Sequence, residues 1–311
     1  MRATDIPEID ARDLVPGAPG RAAALADLAR AARVSGFFTV HSTAIDAEEI
    51  AGVLVELRAF FHAPEAEKSR IDMAATGSNR GWGAPLGERV DPGSNPDYKE
   101  VFDMGFELAP GDPLAARGLR YYAPNRWPEG RPRFRATLER YYARTMGVSM
   151  TLLRALAEAL GAPRDHFDGR FDRPMALLRG NFYPARPPWA GERDFGIAPH
   201  TDYGCLTLLA GDGVPGLEVQ GRAGDWRPVT SRPGAFVVNF GEMLEIWTAG
   251  EVRATPHRVI GSEAERISLP LFFNPDYDTD ISPPGSVTPR LAGEHLSRRF
   301  DETYLHLDPT A

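Results

Sequence analysis

The sequence predicts an α+β fold with a mainly β core, a barrel or jelly roll of short strands surrounded by helices. Three observations carry this. Alanine and leucine recur at helical spacing up to Gly161, short apolar runs divided by Gly, Pro, Asp and Ser fill the stretch after Pro174, and the closing "TPRLAGEHLSRRFDETYLHL" returns to helical spacing. One globular domain over 1–311 is the simplest arrangement, with helices packed round a single β core.

The elements follow in order. "RAAALADLARAAR" (21–33) reads as a helix with Gly36 just beyond its end, and "GFFTVHS" (36–42) as a strand. "DAEEIAGVLVELRAFFHAP" (46–64) is a second helix: Asp46 is suited to cap it, acids fill its first turn and Pro64 follows it. "EAEKSRI" continues as a short helix. Residues 72–97, rich in Gly, Pro, Ser and Asn, read as irregular loop, and "YKEVFDMGFEL" as a strand. A long helical stretch covers 131–161. Then come "MALLRGNFY", "CLTLLAG", "LEVQG", "WRPVT", "AFVVNFG", "HRVIG" and "ISLPLFF", each short and bounded by turn residues, as strands of a barrel or jelly roll are.

Composition narrows the function classes. A net charge of −8 argues against nucleic-acid binding. Only Lys68 and Lys99 among the 35 basic residues are lysine, which with the abundant alanine points to GC-rich coding and a bacterial source. Cys205 is the single cysteine, so no internal disulfide and no cysteine-based metal site can form, and a reducing cytoplasm fits. The opening "MRATDIPEIDARDL" has no apolar h-region and no run is long enough to span a bilayer, so a cytoplasmic protein with a small-molecule partner, acting as a monomer, is expected.

The chemistry concentrates in "APHTDYGCLTLL". His200 and Asp202 stand two apart and would share a face if the backbone there is extended. Taken alone, this fits a capped strand with a turn aspartate as well as it fits a metal site. His257, in "RATPHRVIG" and 57 residues later, is the third candidate, before another strand-like run. Two histidines and a carboxylate with open positions opposite form the ligand set of non-haem Fe(II) oxygenases, whereas structural zinc closes with four protein ligands. Nine residues on, Arg266 and Ser268 are again two apart, and a guanidinium fork beside a hydroxyl suits a carboxylate. Asn181 and Tyr183, two apart in "LLRGNFYP", could add hydrogen bonds to the same ligand.

In these segments the sequence resembles the iron(II)- and 2-oxoglutarate-dependent dioxygenases of the isopenicillin N synthase-like family, over nearly the whole chain. "IPEID" (6–10), "GFFTV" (36–40), "FFHAPEAEK" (60–68), "RGWG" (80–83), "KEVFDMG" (99–105) and "PNRWP" (124–128) are similar to its N-terminal segments. "NFYP", "HTDYGCLTLL", "PGAFVVNFGEMLEIWTAG", "HRV" and "RIS" then follow in the family's order. The resemblance implies a distorted double-stranded β-helix (jelly roll), with an N-terminal dioxygenase region over 5–125, the Fe(II)/2-oxoglutarate core over 174–276 and a C-terminal helix over 288–308. It implies Fe(II) on His200, Asp202 and His257. It implies 2-oxoglutarate on Arg266 and Ser268 with Tyr183, Asn181 near the chelating end, and O₂ as second co-substrate. The activity implied is hydroxylation, desaturation or ring closure of a small organic substrate.

Two departures from the family pattern stand out. Gly180 replaces a larger apolar residue, which would enlarge the pocket, and Glu242 replaces an aspartate, with little consequence expected. Two other functions share the motifs: an oxidase of the isopenicillin N synthase type that uses no 2-oxoglutarate, and a non-catalytic carboxylate or metal sensor. Arg80 and Trp82, in the Gly-rich loop, are candidates to close over substrate. His41, His62, His166, His295 and His306 read as surface or packing residues, Cys205 as a small buried residue, and Trp226 as packing.

Overall fold

A computed structural model describes residues 6–191, 193–230 and 232–304. Its strands are β1 (Glu8–Asp10), β2 (Phe37–His41), β3 (Gly81–Gly83), β4 (Glu100–Gly105), β5 (Leu177–Tyr183), β6 (Ile197–His200), β7 (Leu206–Gly211), β8 (Leu217–Gln220), β9 (Trp226–Pro228), β10 (Phe236–Phe240), β11 (His257–Val259) and β12 (Arg266–Phe273). Eight form a large sheet in the order β1-β2-β10-β7-β12-β5-β4-β3, and four a small sheet in the order β6-β11-β8-β9. Tyr183 and Val237 of the large sheet pack with Leu217, Val219 and Val259 of the small one, which closes the jelly roll expected from the sequence.

The helices are α1 (Arg21–Arg30), α2 (Ala47–Phe61), α3 (Glu65–Lys68), α4 (Met73–Thr76), α5 (Pro132–Ala159), α6 (Glu242–Trp247) and α7 (Ala292–Thr303). Asp46 caps α2 by accepting the Glu49 N–H at 2.8 Å, and Ile50, Val53, Leu54, Leu57, Phe60 and Phe61 form its buried stripe. Phe60 meets Phe134 of α5 and Phe102 of β4 at ring separations of 5.1 and 5.3 Å. α2 and α5 thus cover one face of the large sheet, leaving its other face to the small sheet. All seven residues of β5 are consequently buried. Gly36 ends the first helical segment at φ +67°, where an added Cβ would lie 2.6 Å from the Arg253 carbonyl oxygen, so only glycine makes this turn into β2 without a clash.

Two local expectations need correction, and one helix has no counterpart in the sequence reading. The stretch 72–97 is not all loop, since α4 forms there under the Asp72 cap and β3 pairs with β4. α6 follows β10 directly. β6 stops at His200, so Asp202 does not continue a strand: the amides of Glu242 and Met243, at the start of α6, donate to the carbonyls of Asp202 and Gly204 at 2.8 and 3.0 Å and bend the chain away. His306 and the end of the 288–308 segment lie outside the described residues.

Candidate active site

β6 and β11 are antiparallel neighbours, and His200 and His257 are direct partners across them. The four strands β7 to β10 run between the two histidines in sequence, and the pairing returns them to one point. Their ring centroids are 4.3 Å apart. Asp202 Oδ1 lies 3.7 Å from His200 Nε2 and 3.6 Å from His257 Nε2. Ligand atoms of the three residues all fall within 4.8 Å of one another.

The surrounding bonds fix the donor atoms. A carbonyl can only accept, so His200 Nδ1–H donates to Ala198 O at 2.8 Å and His257 Nδ1–H to Thr255 O at 3.2 Å. Each Nε2 lone pair is thereby left facing the centre. Asp202 Oδ2 accepts Asn239 Nδ2–H at 2.6 Å and Thr207 Oγ–H at 2.5 Å, which leaves Oδ1 to the same centre. Burial alone would raise the Asp202 carboxyl pKa, but the adjoining histidines outweigh it and hold the group well below the usual carboxylate range. Burial likewise disfavours charge on His257, yet Asp202 beside it raises its pKa. An anion between two imidazoles with converging lone pairs fits a divalent transition metal with open coordination positions.

Asn239 and Thr207 were not anticipated from sequence, although each belongs to a strand in the predicted core. Asn239→Ala is expected to weaken Fe(II) affinity about 10- to 100-fold, because Oδ2 would turn and carry Oδ1 with it. Isothermal titration with Fe(II) under nitrogen checks this, and an unchanged affinity would remove Asn239 from the support of the site.

The structure also brings together the residues expected to form a carboxylate clamp. β12 pairs with β5 so that Arg266 faces Tyr183 and Ser268 faces Asn181. Arg266 is 7% exposed, its guanidinium carbon 5.0 Å from the Tyr183 ring centroid. Its Nε donates to Val214 O at 3.1 Å, while Nη1 is buried with no hydrogen-bond partner among the described residues. Asn181 Nδ2 donates to Ser268 Oγ at 3.3 Å. A buried guanidinium with an unused donor calls for an anion, so the residues fit a ligand carboxylate.

All seven of these residues line one cavity of about 1010 Å³, counted with its open mouth. Phe37, Ile197, Leu209, Leu217 and Val259 make it apolar near the clamp, and Phe37 meets the His257 ring edge-on at 5.4 Å. Arg80 and Trp82 do not line it. Both are buried: Arg80 donates to the carbonyls of Asn79 and Tyr121, and Trp82 Nε1–H to Glu100 at 2.7 Å. Pairing of β3 with β4 pulls this segment into the core, so the substrate-closing role expected of the pair is not supported. Gly180 does not enlarge the cavity either. It points to the helical side, where an added Cβ would sit 2.6 Å from Leu57 Cδ2.

Glu242 does more than expected. Its Oε1 accepts Thr201 Oγ–H at 2.6 Å, and its Oε2 lies 3.2 Å from Arg299 Nε and 3.4 Å from His295 Nε2, tying the loop between His200 and Asp202 to α7. His295 is buried, with its Nε2 also 3.1 Å from the Tyr203 carbonyl oxygen, His62 pairs with Glu265 and Cys205 is buried in the core. Trp226 stacks beneath Arg258 at 4.3 Å, away from the cavity.

The chain is similar to known proteins in sequence and in fold. Residues 6–130 match the family described as "non-haem dioxygenase in morphine synthesis N-terminal", and residues 174–275 match the 2OG-Fe(II) oxygenase superfamily. A 2-oxoglutarate-Fe(II) type oxidoreductase of Aspergillus fumigatus is 33% identical over 78% of this chain and 74% of its own. A homoarginine-6-hydroxylase of Glycine max is 31% identical over 90% and 86%. Among solved structures, a full-length Neurospora crassa protein in complex with alpha-KG superposes with a TM-score of 0.84 at 25% identity, covering 96% of this chain and 98% of that one. A 2OG-Fe(II) oxygenase family protein of Caulobacter crescentus gives 0.79 at 27%, covering 96% and 99%.

Proposed function

The chain belongs to the 2-oxoglutarate- and Fe(II)-dependent oxygenases, and from that premise we propose that His200, Asp202 and His257 hold the iron while Arg266, Ser268, Tyr183 and Asn181 hold 2-oxoglutarate. The carrying observation is the convergence of His200 Nε2, Asp202 Oδ1 and His257 Nε2 on one point, each with its other polar atom already engaged. The overall reaction is oxidation of a small organic molecule: substrate R–H, O₂ and 2-oxoglutarate give R–OH, succinate and CO₂. When bound, Fe(II) and 2-oxoglutarate supply the oxidising chemistry.

The chain's own residues do the rest. Arg266 presents Nη1 to a carboxylate. Ser268 Oγ, already accepting from Asn181, keeps its hydrogen to donate to the same group. Tyr183 holds the guanidinium plane by stacking against it. Phe37, Leu209, Leu217 and Val259 exclude water, which strengthens each of these contacts. The relatives and the alpha-KG complexes support this function over an oxidase that dispenses with 2-oxoglutarate and over a sensor.

Relatives are named for homoarginine 6-hydroxylation and gibberellin oxidation, and the Neurospora crassa protein has also been solved with thymine, so the scaffold serves chemically different small molecules. No described helix is long and apolar enough to cross a membrane. We further read the protein as a bacterial, cytoplasmic monomer whose partners are small molecules rather than nucleic acid or membrane. The arginine-rich composition, single buried cysteine, net charge of −8 and small number of exposed large apolar side chains among the described residues support this.

The test is an anaerobic titration of Fe(II)-loaded protein with 2-oxoglutarate, followed by admission of air. A saturable visible charge-transfer band, then succinate formed in step with O₂ consumed, is the expected result. O₂ uptake with a substrate but without succinate would reassign the clamp to the substrate's own carboxylate.

A further inference from the structure

The cavity continues past the residues assigned to iron and 2-oxoglutarate. On β5, Arg179 shares the face of Asn181 and Tyr183, about 7 Å beyond Asn181 at ordinary strand rise. Its Nε and Nη2 donate to Asp103 at 2.8 and 2.6 Å, its Nη1 to Glu88 Oε2 at 3.0 Å and its Nη2 also to Tyr304 Oη at 2.5 Å. Lys99 Nζ donates to Glu88 Oε2 at 2.7 Å and to Asp97 at 2.8 Å. Glu88, Lys99, Arg179 and Tyr304 all line the cavity, and the first three side chains are 8%, 2% and 9% exposed.

This cluster is unevenly filled. Glu88 Oε2 takes hydrogens from both cations. Glu88 Oε1 is buried and receives none from the described residues: Arg179 Nη2 lies 2.9 Å away but out of line. Three acids (Glu88, Asp97, Asp103) meet two bases (Lys99, Arg179). Arg80, whose field reaches Asp103, stands outside the cavity and gives its hydrogens to carbonyls. A carboxylate on the substrate would have to displace Glu88 or Asp103 from Arg179. A cationic N–H group would fill the open lone pairs of Glu88 Oε1. The nearby wall suits such a group: Phe300 adds an aromatic ring to the lining, and Leu177, Leu296 and Phe272 add apolar surface for an aliphatic stem.

We propose that Glu88 is a specificity-determining residue that receives a cationic nitrogen group, making the substrate a small aliphatic amine or guanidine whose oxidised carbon lies between Glu88 and the metal centre. This rests on the iron and 2-oxoglutarate reading above. Although burial pushes the Glu88 carboxyl up, Arg179 and Lys99 bring it down to about 2, so the acceptor is anionic at any working pH.

The experiment uses the full chain loaded with Fe(II) and 2-oxoglutarate and matched probes of equal length: guanidino and ureido alkanoates, and alkylamines and alcohols. Substrate-stimulated succinate formation and the perturbation of the anaerobic band are both read. Cationic members are expected to exceed their neutral isosteres in kcat/KM by about 100-fold, as for a buried charge pair. Glu88→Gln should bring that ratio near one while the substrate-free Fe(II)–2-oxoglutarate band persists, and Glu88→Asp should keep the preference. Neutral probes matching cations, no cation raising succinate above the substrate-free rate, or a ratio surviving Glu88→Gln would each overturn the proposal. Absence of the band in the unmutated protein would instead overturn the iron and 2-oxoglutarate reading, and this proposal with it.

Discussion

Replacing His200 with alanine is expected to abolish Fe(II) retention and lower turnover by at least about 10³-fold, well beyond the 10- to 100-fold typical of losing an outer partner. His200 is one of the two histidine donors at the site among the described residues, and its cross-strand partner His257 cannot move to compensate, because β11 is held between β6 and β8. The remaining His257 and Asp202 would offer two ligands on one side of the ion. Backbone pairing of β6 does not depend on the imidazole, so the variant should fold with an unchanged circular-dichroism spectrum. Metal analysis after gel filtration, followed by succinate assay at saturating Fe(II), measures the effect. Normal activity in protein verified to contain iron would sink the assignment of the three ligands.

What the sequence could reveal about this site follows from where each residue sits. Spacing of two on a strand is a local property, and it correctly grouped Arg266 with Ser268 and Asn181 with Tyr183; cross-strand register then brought the pairs face to face. The same rule applied one step further along β5 would have found Arg179 and would have turned Gly180 away from the cavity, since 179, 181 and 183 share one face. His200 and Asp202 were rightly paired for the wrong reason. They converge through the turn that α6 imposes, not through a continuing strand. Asn239, Thr207, Glu88 and Lys99 carry no such local mark. They reach the site because β10 and β7 are sheet neighbours and because the loop before β4 folds back along the cavity, and both facts are settled by distant pairing. Arg80 and Trp82 show the converse: glycine-rich surroundings suggested a mobile cover, but β3 joins the edge of the large sheet and carries Trp82 inward, and Arg80 just before it is buried with its guanidinium on the Asn79 and Tyr121 carbonyls.

Arg266→Ala should raise the KM for 2-oxoglutarate by about 100-fold and weaken the anaerobic charge-transfer band in proportion, while Fe(II) binding stays intact. The size follows from removing a charge-assisted, buried partner of a carboxylate, worth about 2–4 kcal/mol. The separation from iron binding follows from position, because Arg266 is paired with Tyr183 at the outer end of β5 and contributes no ligand to the triad. Ser268, Tyr183 and Asn181 would remain, hydroxyl and amide groups that cannot balance the charge. Arg266→Lys provides the internal control: it restores the charge but not the fork, so its KM should lie between those of the unmutated protein and the alanine variant. The comparison separates two roles that the sequence motif cannot. A clamp for 2-oxoglutarate moves the KM for 2-oxoglutarate and the band together, with iron unchanged. A clamp for a substrate carboxylate would leave both untouched and raise only the substrate KM.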